Sequence, residues 1–208
     1  MHGGEPLRTL VVAPPDFNLG AFSHSIKTPL ALNLYSEKMA SEQSDLLILI
    51  IEADRGLSQD EILSFNRLRE LQIPSLILVT SLISPTGSKD DQDRWDFDDV
   101  VMLINRTLEK AIAPYLVLHD DYGLPIGLYD LLEASIIDYT DGTPRRLTPE
   151  PEIEELVKDF REELEEENFL SSDFTSGLRV VVIPYIAERK IGIAEVDYFL
   201  TKLQQVQL

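Results

Sequence analysis

The strongest constraint on the fold of this chain is the segment 45–84, in which two continuous apolar runs flank a helical pattern. The first run reads LLILII, which is typical of a parallel strand covered on both faces. Ser58, followed three residues later by Glu61, has the spacing of a helix-capping box. Pro74 ends the helix before a second run, LILV. Strand, helix and strand with short connections predict a βαβ unit and thus a parallel sheet with helices on both faces. We expect the inward face of the helix to carry Ile62, Phe65, Leu68 and Leu71.

The rest of the chain continues the alternation of strands and helices. Residues 7–13 (LRTLVVA) predict a buried strand that ends at two prolines. Residues 29–40 predict a helix, because Pro29 suits a first helical turn. Further along we expect a polar loop (84–94), a helix (97–111), a strand (114–118), a strand-rich excursion (119–147), an acidic helix (149–169), a strand (178–184) and a closing helix (193–206).

Composition and charge narrow the functional classes. The 208 residues are 44% hydrophobic and 26% charged, as in ordinary globular domains. No apolar run approaches the roughly 20 residues that span a bilayer, and the N-terminus has no basic region followed by an apolar one. Cysteine is absent, so we expect a cytoplasmic protein without disulfides.

The chain is strongly acidic: it has only 18 basic residues against 37 acidic ones, for a net charge of −19. Direct nucleic-acid binding is therefore not expected, whereas a protein partner with a basic face and a purely solubilising role both remain open.

Several segments resemble one protein family. Residues 115–142 (YLVLHDDYGLPIGLYDLLEASIIDYTDG) resemble the insert in the GTP-binding domain of elongation factor G and elongation factor G-like translational GTPases. The acidic segment 149–169 resembles the helix of that insert, and 45–83 resembles the family's fourth and fifth core strands. Residues 178–195 resemble the end of the family's GTP-binding domain. The resemblance implies a truncated P-loop NTPase-like α/β fold: a three-layer parallel sheet with flanking helices and an α/β insert.

The resemblance also implies a domain division. The GTPase-like core is expected over 1–113 and 178–208, and the insert over 114–177. On this alignment the chain begins at the family's third strand, whereas the first strand of the complete fold lies between the third and the fourth. We therefore expect a four-stranded parallel sheet in which residues 7–13 have moved into the place of the missing first strand, because an unpaired slot would leave backbone groups unsatisfied.

The nucleotide-binding motifs of that family are missing or replaced. No segment matches the G-x-x-x-x-G-K-[ST] phosphate loop. Residues 13–16 (Ala-Pro-Pro-Asp) stand where the family has Asp-x-x-Gly, and 80–83 (Thr-Ser-Leu-Ile) where it has the guanine-reading Asn-Lys-x-Asp. The later Ser-Ala pair falls near Tyr185 and Ile186. These losses predict a pseudoGTPase that uses neither GTP nor magnesium and does not hydrolyse GTP.

A vestigial cleft is nevertheless expected at the strand ends, where open α/β sheets place ligands. Its candidate residues are Asp16, His24, Thr80, Ser81 and Tyr185. An alternative function is thus a small-molecule or nucleotide-binding protein or enzyme that reuses this cleft. We expect no catalytic triad at 23–25 (Ser-His-Ser), because adjacent residues rarely reach triad geometry. We read 119–121 (His-Asp-Asp) as a turn, and the aspartates of 90–99 as a solvated loop and a helix N-cap rather than a metal site.

The acidic helix offers the candidate interaction surface. Its exposed residues are expected to be Glu154, Glu155, Glu162, Glu163, Glu165 and Glu166, and its inward residues Ile153, Leu156, Val157, Phe160 and Leu164. This surface is either a solvated face or a docking site. The resemblance favours testing the second reading, since the family's insert contacts the ribosomal stalk. Taken together, these features predict a protein-interaction or regulatory module linked to translation, whose partner is a translation factor or ribosomal protein.

Overall fold

The computed structural model describes residues 5–36, 44–83 and 95–207. Within these residues, nine strands form two sheets: β1 (Leu7–Val12), β2 (Leu30–Leu34), β3 (Leu46–Glu52), β4 (Ser75–Thr80), β5 (Tyr115–His119), β6 (Pro125–Asp130), β7 (Ser135–Asp138), β8 (Arg145–Leu147) and β9 (Val180–Pro184). The helices are α1 (Leu19–Ser25), α2 (Gln59–Arg69), α3 (Phe97–Thr107), α4 (Pro151–Leu156), α5 (Lys158–Glu166), α6 (Ser171–Thr175) and α7 (Ile193–Gln207). In the described part of the chain, none of these helices is both long and apolar enough to cross a membrane.

The main sheet has five parallel strands in the order β2-β1-β3-β4-β9. Strands β3 and β4 lie near its centre, and residues 46–51 of β3 and all of β4 are buried. The βαβ unit predicted from 45–84 is confirmed. Its helix α2 begins with the expected capping box: Glu61 N donates to Ser58 Oγ at 3.3 Å, and Ser58 N donates to Glu61 Oε2 at 2.7 Å. Phe65 and Leu68 face the core. Leu71 lies beyond the end of the helix and is exposed, contrary to the prediction.

Two expectations for the start of the chain are wrong. Residues 30–34 form edge strand β2, not a helix, so the sheet has five strands rather than four. Strand β2 runs along β1, with Leu7 opposite Leu30 and Val11 opposite Leu34. A distant residue holds the backbone just before β2. The Asp197 carboxylate on α7 accepts hydrogen bonds from the amides of residues 27 and 28 at 2.9–3.0 Å. The predicted position of β1 directly beside β3 is correct.

The strand-rich excursion predicted over 119–147 is confirmed as an antiparallel sheet, β5-β6-β7-β8. One face of this sheet, with Tyr115 and Ile137, packs into the core that contains Phe199 of α7. The other face carries Tyr129 and packs against Val157. Just before β5, residue 112 forms an isolated bridge with strand β9: its amide donates to the carbonyl of Val180 and its carbonyl accepts the amide of Val182, both at 2.8 Å. The division into core and insert at residues 114 and 177 stays a prediction.

Two predicted helices differ from the observed ones. The acidic helix is divided into α4 and α5, because Val157 leaves helical geometry (φ −96°, ψ 1°) to enter the core. The change of phase turns Leu156 and Phe160 outward, although both were predicted to face inward. Helix α3 ends at residue 107 instead of 111. The expected aspartate N-cap of α3 is Asp96, whose Oδ1 accepts the amide of residue 99 at 2.9 Å. The rest of the predicted polar loop, 84–94, lies outside the described residues.

Candidate functional site

A cleft of about 330 Å³ opens at the carboxyl ends of β1, β3, β4 and β9. Four of the five predicted cleft residues, Asp16, Thr80, Ser81 and Tyr185, line it together. They meet because parallel strands deliver their C-terminal residues to one edge of the sheet. Their neighbours in the cleft include Glu52, Asp54 and Glu188.

The cleft is strongly acidic. Its lining contains four carboxylates, those of Asp16, Glu52, Asp54 and Glu188, and no lysine or arginine among the described residues. Burial, followed by the charges of Asp16 and Asp54, raises the pKa of the Glu52 carboxyl above its ordinary value. Among the described residues, Arg55 lies beside the cleft, with its NH1 3.8 Å from Glu52 Oε2. The electrostatic potential of the cleft therefore opposes the binding of an anion.

The segment between β1 and α1 forms one wall of this cleft. It carries Pro14 and Pro15, which have no amide hydrogen to offer a ligand. The amide of Phe17 donates to the carbonyl of Pro14 at 3.1 Å. Asn18 Oδ1 accepts the amide of Ala21 at 2.9 Å and so caps α1 from within the chain. Several of the backbone donors that a phosphate would need here are absent or already bonded.

The fifth predicted cleft residue, His24, lies elsewhere. It is exposed on α1, does not line the cleft, and its Nδ1 is 2.6 Å from the carbonyl oxygen of Gly20. The helical turn carries the side chain away from the strand ends. Ser25, the last residue of the segment 23–25, has an Oγ that donates to the carbonyl of residue 22 at 2.6 Å and lies 2.8 Å from Tyr185 Oη. These contacts hold the Ser25 side chain between α1 and Tyr185.

The other candidate constellations have structural roles. Asp120 Oδ1 accepts the amides of Tyr122 and Leu124, each at 2.9 Å, and thereby organises the turn predicted at 119–121. Among residues 5–36, 44–83 and 95–207, no group of three or more histidine, aspartate or glutamate side chains is arranged to hold a metal ion.

The candidate acidic surface is present on α4 and α5. Glu154 and Glu155 are exposed on α4, and the other four glutamates are exposed on α5. Three of them make ion pairs at the surface: Glu162 with Lys158 (3.9 Å), Glu163 with Lys110 (3.7 Å) and Glu165 with Arg161 (3.5 Å).

An apolar groove of about 360 Å³ adjoins the acidic surface between α3 and α5. The half-exposed side chains of Met102 and Phe160 lie in it, with Glu163 and Glu167 among its lining residues. The continuous periodicity of the sequence placed Phe160 on the inward face of one helix and so did not indicate this groove.

A larger cavity, of about 550 Å³, lies between the antiparallel sheet and α7. Its lining includes Tyr115, Asp130, Arg146 and Glu195, none of which the sequence pattern singled out. The available signal was an acidic residue at an inward position of an otherwise apolar segment, as Asp130 in GLYDLL and Glu195 in IGIAEVDYFL.

The fold and the cleft define a mixed α/β domain with a five-stranded parallel sheet, flanking helices and an acidic strand-end cleft. No family model matches the sequence, and no curated protein matches it. Among solved structures, the chain is similar to the crystal structure of ttk003000868 from Thermus thermophilus, with a TM-score of 0.70 and 16% identity over 94% of this chain. The chain spans 40% of that protein. At this identity the likeness shows the fold alone.

Proposed function

We propose that this chain is a degenerate, translational-GTPase-like domain that neither binds nor hydrolyses GTP and acts as a protein-interaction module linked to translation. The observation that carries the proposal is the cleft, which is lined, among the described residues, by four carboxylates and no lysine or arginine at the place where a nucleotide would bind. In water, two unit charges 4 Å apart interact by about 1 kcal/mol, and by about 4 kcal/mol near a protein surface. A triphosphate would meet several such repulsions.

The order of strands supports the proposed relationship. In the elongation factor G family the first strand, which leads into the phosphate loop, lies between the third and fourth. Strand β1 of this chain lies between β2 and β3, and β3 belongs to the segment that resembles the family's fourth and fifth strands. On this correspondence β1 takes the place of the first strand and β2 that of the third. Residues 13–18 then replace the phosphate loop itself, whereas the resemblance described above placed 13–16 at the Asp-x-x-Gly motif.

The replaced loop would be a poor phosphate site for chemical reasons. A phosphate loop presents successive backbone amides and a lysine, whereas residues 13–18 present two prolines and the negative Asp16. At the base position, Ile83 has no side-chain group that could accept hydrogen bonds from guanine. The scaffold of β3, α2 and β4 persists because it forms the apolar core, independently of any ligand.

The interaction role rests on the acidic surface of α4 and α5 and on the groove beside it. The exposed glutamates would attract a partner with a basic surface and accelerate its association. Met102 and Phe160 would supply the apolar contact that such an interface needs at its centre. A ribosomal protein or a translation factor is the proposed partner. Neither nucleic acid nor a membrane lipid is proposed as a direct ligand.

Binding to purified ribosomes and translation factors of the source organism tests this proposal. The informative variant replaces Glu154, Glu155 and Glu166 by glutamine, because no ion pair involves these three among the described residues. A matched control neutralises three exposed carboxylates elsewhere, those of Glu5, Glu70 and Asp121.

At low salt, the wild type and the control variant should bind to the ribosomes or to a translation factor, and the α4–α5 variant should lose most of this binding. Equal retention of the two variants would reject the acidic surface as the docking site. If the wild type binds neither the ribosomes nor any of the translation factors in a stoichiometric amount, the proposed role as an interaction module is rejected.

A second candidate function is a small-molecule site in the same cleft. It is favoured by the convergence of Asp16, Thr80, Ser81 and Tyr185 on one cavity. A neutral or cationic metabolite would suit the charges there. Substitution of Asp16 by asparagine should weaken the binding of such a ligand in the cleft. It should leave the binding of a protein partner to α4 and α5 unchanged.

A further inference from the structure

The cavity between the antiparallel sheet and α7 lies outside the strand-end cleft and the acidic surface. Tyr115 pairs in register with Asp130, and Ile137 pairs with Arg146, so neighbouring strands place these side chains on one face of the sheet. Helix α7 closes the other side with Ala194, Glu195 and Tyr198. At about 550 Å³ the cavity falls within the range of roughly 300–1,000 Å³ typical of small-molecule sites.

Two buried carboxylates lie in this cavity. Asp130 is 2% exposed, and its Oδ1 accepts the amides of residues 132 and 133 at 3.1 Å, while its Oδ2 accepts Arg146 NH2 at 3.0 Å. Glu195 is 4% exposed, and both of its carboxylate oxygens accept the hydroxyl of Tyr139, at 2.9 and 2.8 Å. The charge of Asp130 is thus paired, whereas Glu195 is held by a neutral donor.

The hydroxyl of Tyr115 is a polar group of the cavity that forms no hydrogen bond with the residues that the structure describes. The residue is 4% exposed, and no described residue forms a hydrogen bond with its hydroxyl. This hydroxyl is not among the fully enclosed polar atoms of the described residues, so it opens into the cavity that Tyr115 lines, where a ligand can form a hydrogen bond with it. The groups that act electrostatically on this hydroxyl include Asp130, Glu195, Tyr198 and Arg146, all of which line the cavity. The hydroxyl therefore faces the cavity.

The charged residues around the cavity determine whether it favours a positively or a negatively charged ligand. Three carboxylates, those of Asp130, Glu133 and Glu195, and one guanidinium, that of Arg146, are in its lining. Burial and then the charges of Asp130 and Glu195 raise the pKa of Tyr115, against a smaller opposite effect of Arg146. Three carboxylates against one guanidinium give the lining a net negative charge, which favours a cation and disfavours an anion. A bare metal ion does not fit, since the described residues contain no group of ligands arranged for one.

We propose that this cavity binds a small organic amine, whose ammonium group donates hydrogen bonds to the Tyr115 hydroxyl and the Glu195 carboxylate. Ile137 and the ring of Tyr198 would contact the apolar part of the amine. Glu133 is exposed at the rim, where it would attract the cation. This site is independent of the acidic surface on α4 and α5, and it does not require the proposed role in translation.

Isothermal titration calorimetry with phenethylamine tests the proposal, and phenylacetate serves as a probe of similar shape and opposite charge. Tyr115→Phe removes only the unpartnered hydroxyl and should weaken phenethylamine binding about tenfold. Tyr129→Phe is the matched control, because it removes a hydroxyl from the opposite face of the same sheet. It should leave the affinity unchanged. Glu133→Gln at the rim should weaken binding more at low salt than at high salt.

Three results would overturn the inference. They are absence of phenethylamine binding to the wild type at millimolar concentration, equal affinity for phenylacetate, and equal loss of affinity in Tyr115→Phe and Tyr129→Phe. Circular dichroism of each variant establishes that it is folded before titration. Putrescine and spermidine extend the panel: tighter binding of either one supports the same site and identifies a second ammonium group as part of the ligand.

Discussion

Tyr139→Phe removes one hydroxyl at the junction of the antiparallel sheet and α7. This hydroxyl donates to both carboxylate oxygens of Glu195, at 2.9 and 2.8 Å, and both residues are 4% exposed. A hydrogen bond to a charged group contributes about 1.5–3 kcal/mol. The ring remains in place, so no large cavity forms. We expect the free energy of unfolding to fall by about 2 kcal/mol at pH 8, which corresponds to about 4–8 °C for a chain of this length.

The loss of stability in Tyr139→Phe should depend on pH. Burial raises the pKa of Glu195 above its ordinary value of 4.5, and the hydrogen bond from Tyr139 lowers it in part. A carboxyl with a raised pKa in the folded state destabilises the fold when ionised, at pH values above its unfolded pKa. The Tyr139 hydroxyl offsets this effect by stabilising the ionised form. Its removal should therefore cost most at pH 8, above the folded pKa, and less as the pH falls toward 4.5 and Glu195 takes up its proton.

Urea unfolding followed by circular dichroism at pH 8, 6 and 4.5 measures these free energies. The wild type and Tyr139→Phe should differ most at pH 8. A difference that is the same at all three pH values, or that stays below about 0.5 kcal/mol, would refute the assignment of Glu195 as a buried carboxylate held by this hydroxyl.

Three further substitutions test the architecture. Tyr129→Phe should raise the melting temperature by about 2–4 °C, because its buried hydroxyl has no hydrogen-bond partner among the described residues and removing it relieves about 1 kcal/mol; a lower melting temperature would show that the hydroxyl is satisfied. Gly192→Ala should lower stability by about 3 kcal/mol or more, since its φ is +87° and a Cβ would lie 1.9 Å from the carbonyl oxygen of Pro184; urea unfolding close to that of the wild type would contradict that geometry. Asp45→Asn should destabilise more at pH 7 than at pH 3, because the hydrogen bond from Arg8 lowers the pKa of Asp45 below 3.8 and its contribution declines as the pH falls from 3.8 through that lowered value; an equal effect at both pH values would exclude the ionic contribution.

Local signals made the central part of the fold predictable. The run LLILII, the capping box at Ser58 and Pro74 each act on neighbouring residues, and together they predicted β3, α2 and β4. The strand ends then located four of the cleft residues, because the carboxyl ends of parallel strands lie at one edge. His24 was misplaced because the phase of the short helix α1 decides where it points.

The remaining features depend on contacts between distant parts of the chain. Strand β2 follows a proline that suits a helix start, but the open edge of β1 and the carboxylate of Asp197 make the segment extended. The break at Val157 arises because the sheet takes that side chain into its core. The pairing of Tyr139 with Glu195 spans 56 positions, and no local pattern indicates it.

We propose that the acidic cleft binds no guanine nucleotide. The most direct measurement is the melting temperature of the purified chain with 1 mM GTP or GDP and magnesium, with ATP as the control. A ligand present at 100 times its Kd stabilises the folded state by about 2.7 kcal/mol, or about 5–11 °C here, so a Kd of about 10 μM would be evident. We predict no shift with any of the three nucleotides. A shift of several degrees with GTP or GDP but not with ATP would contradict the account.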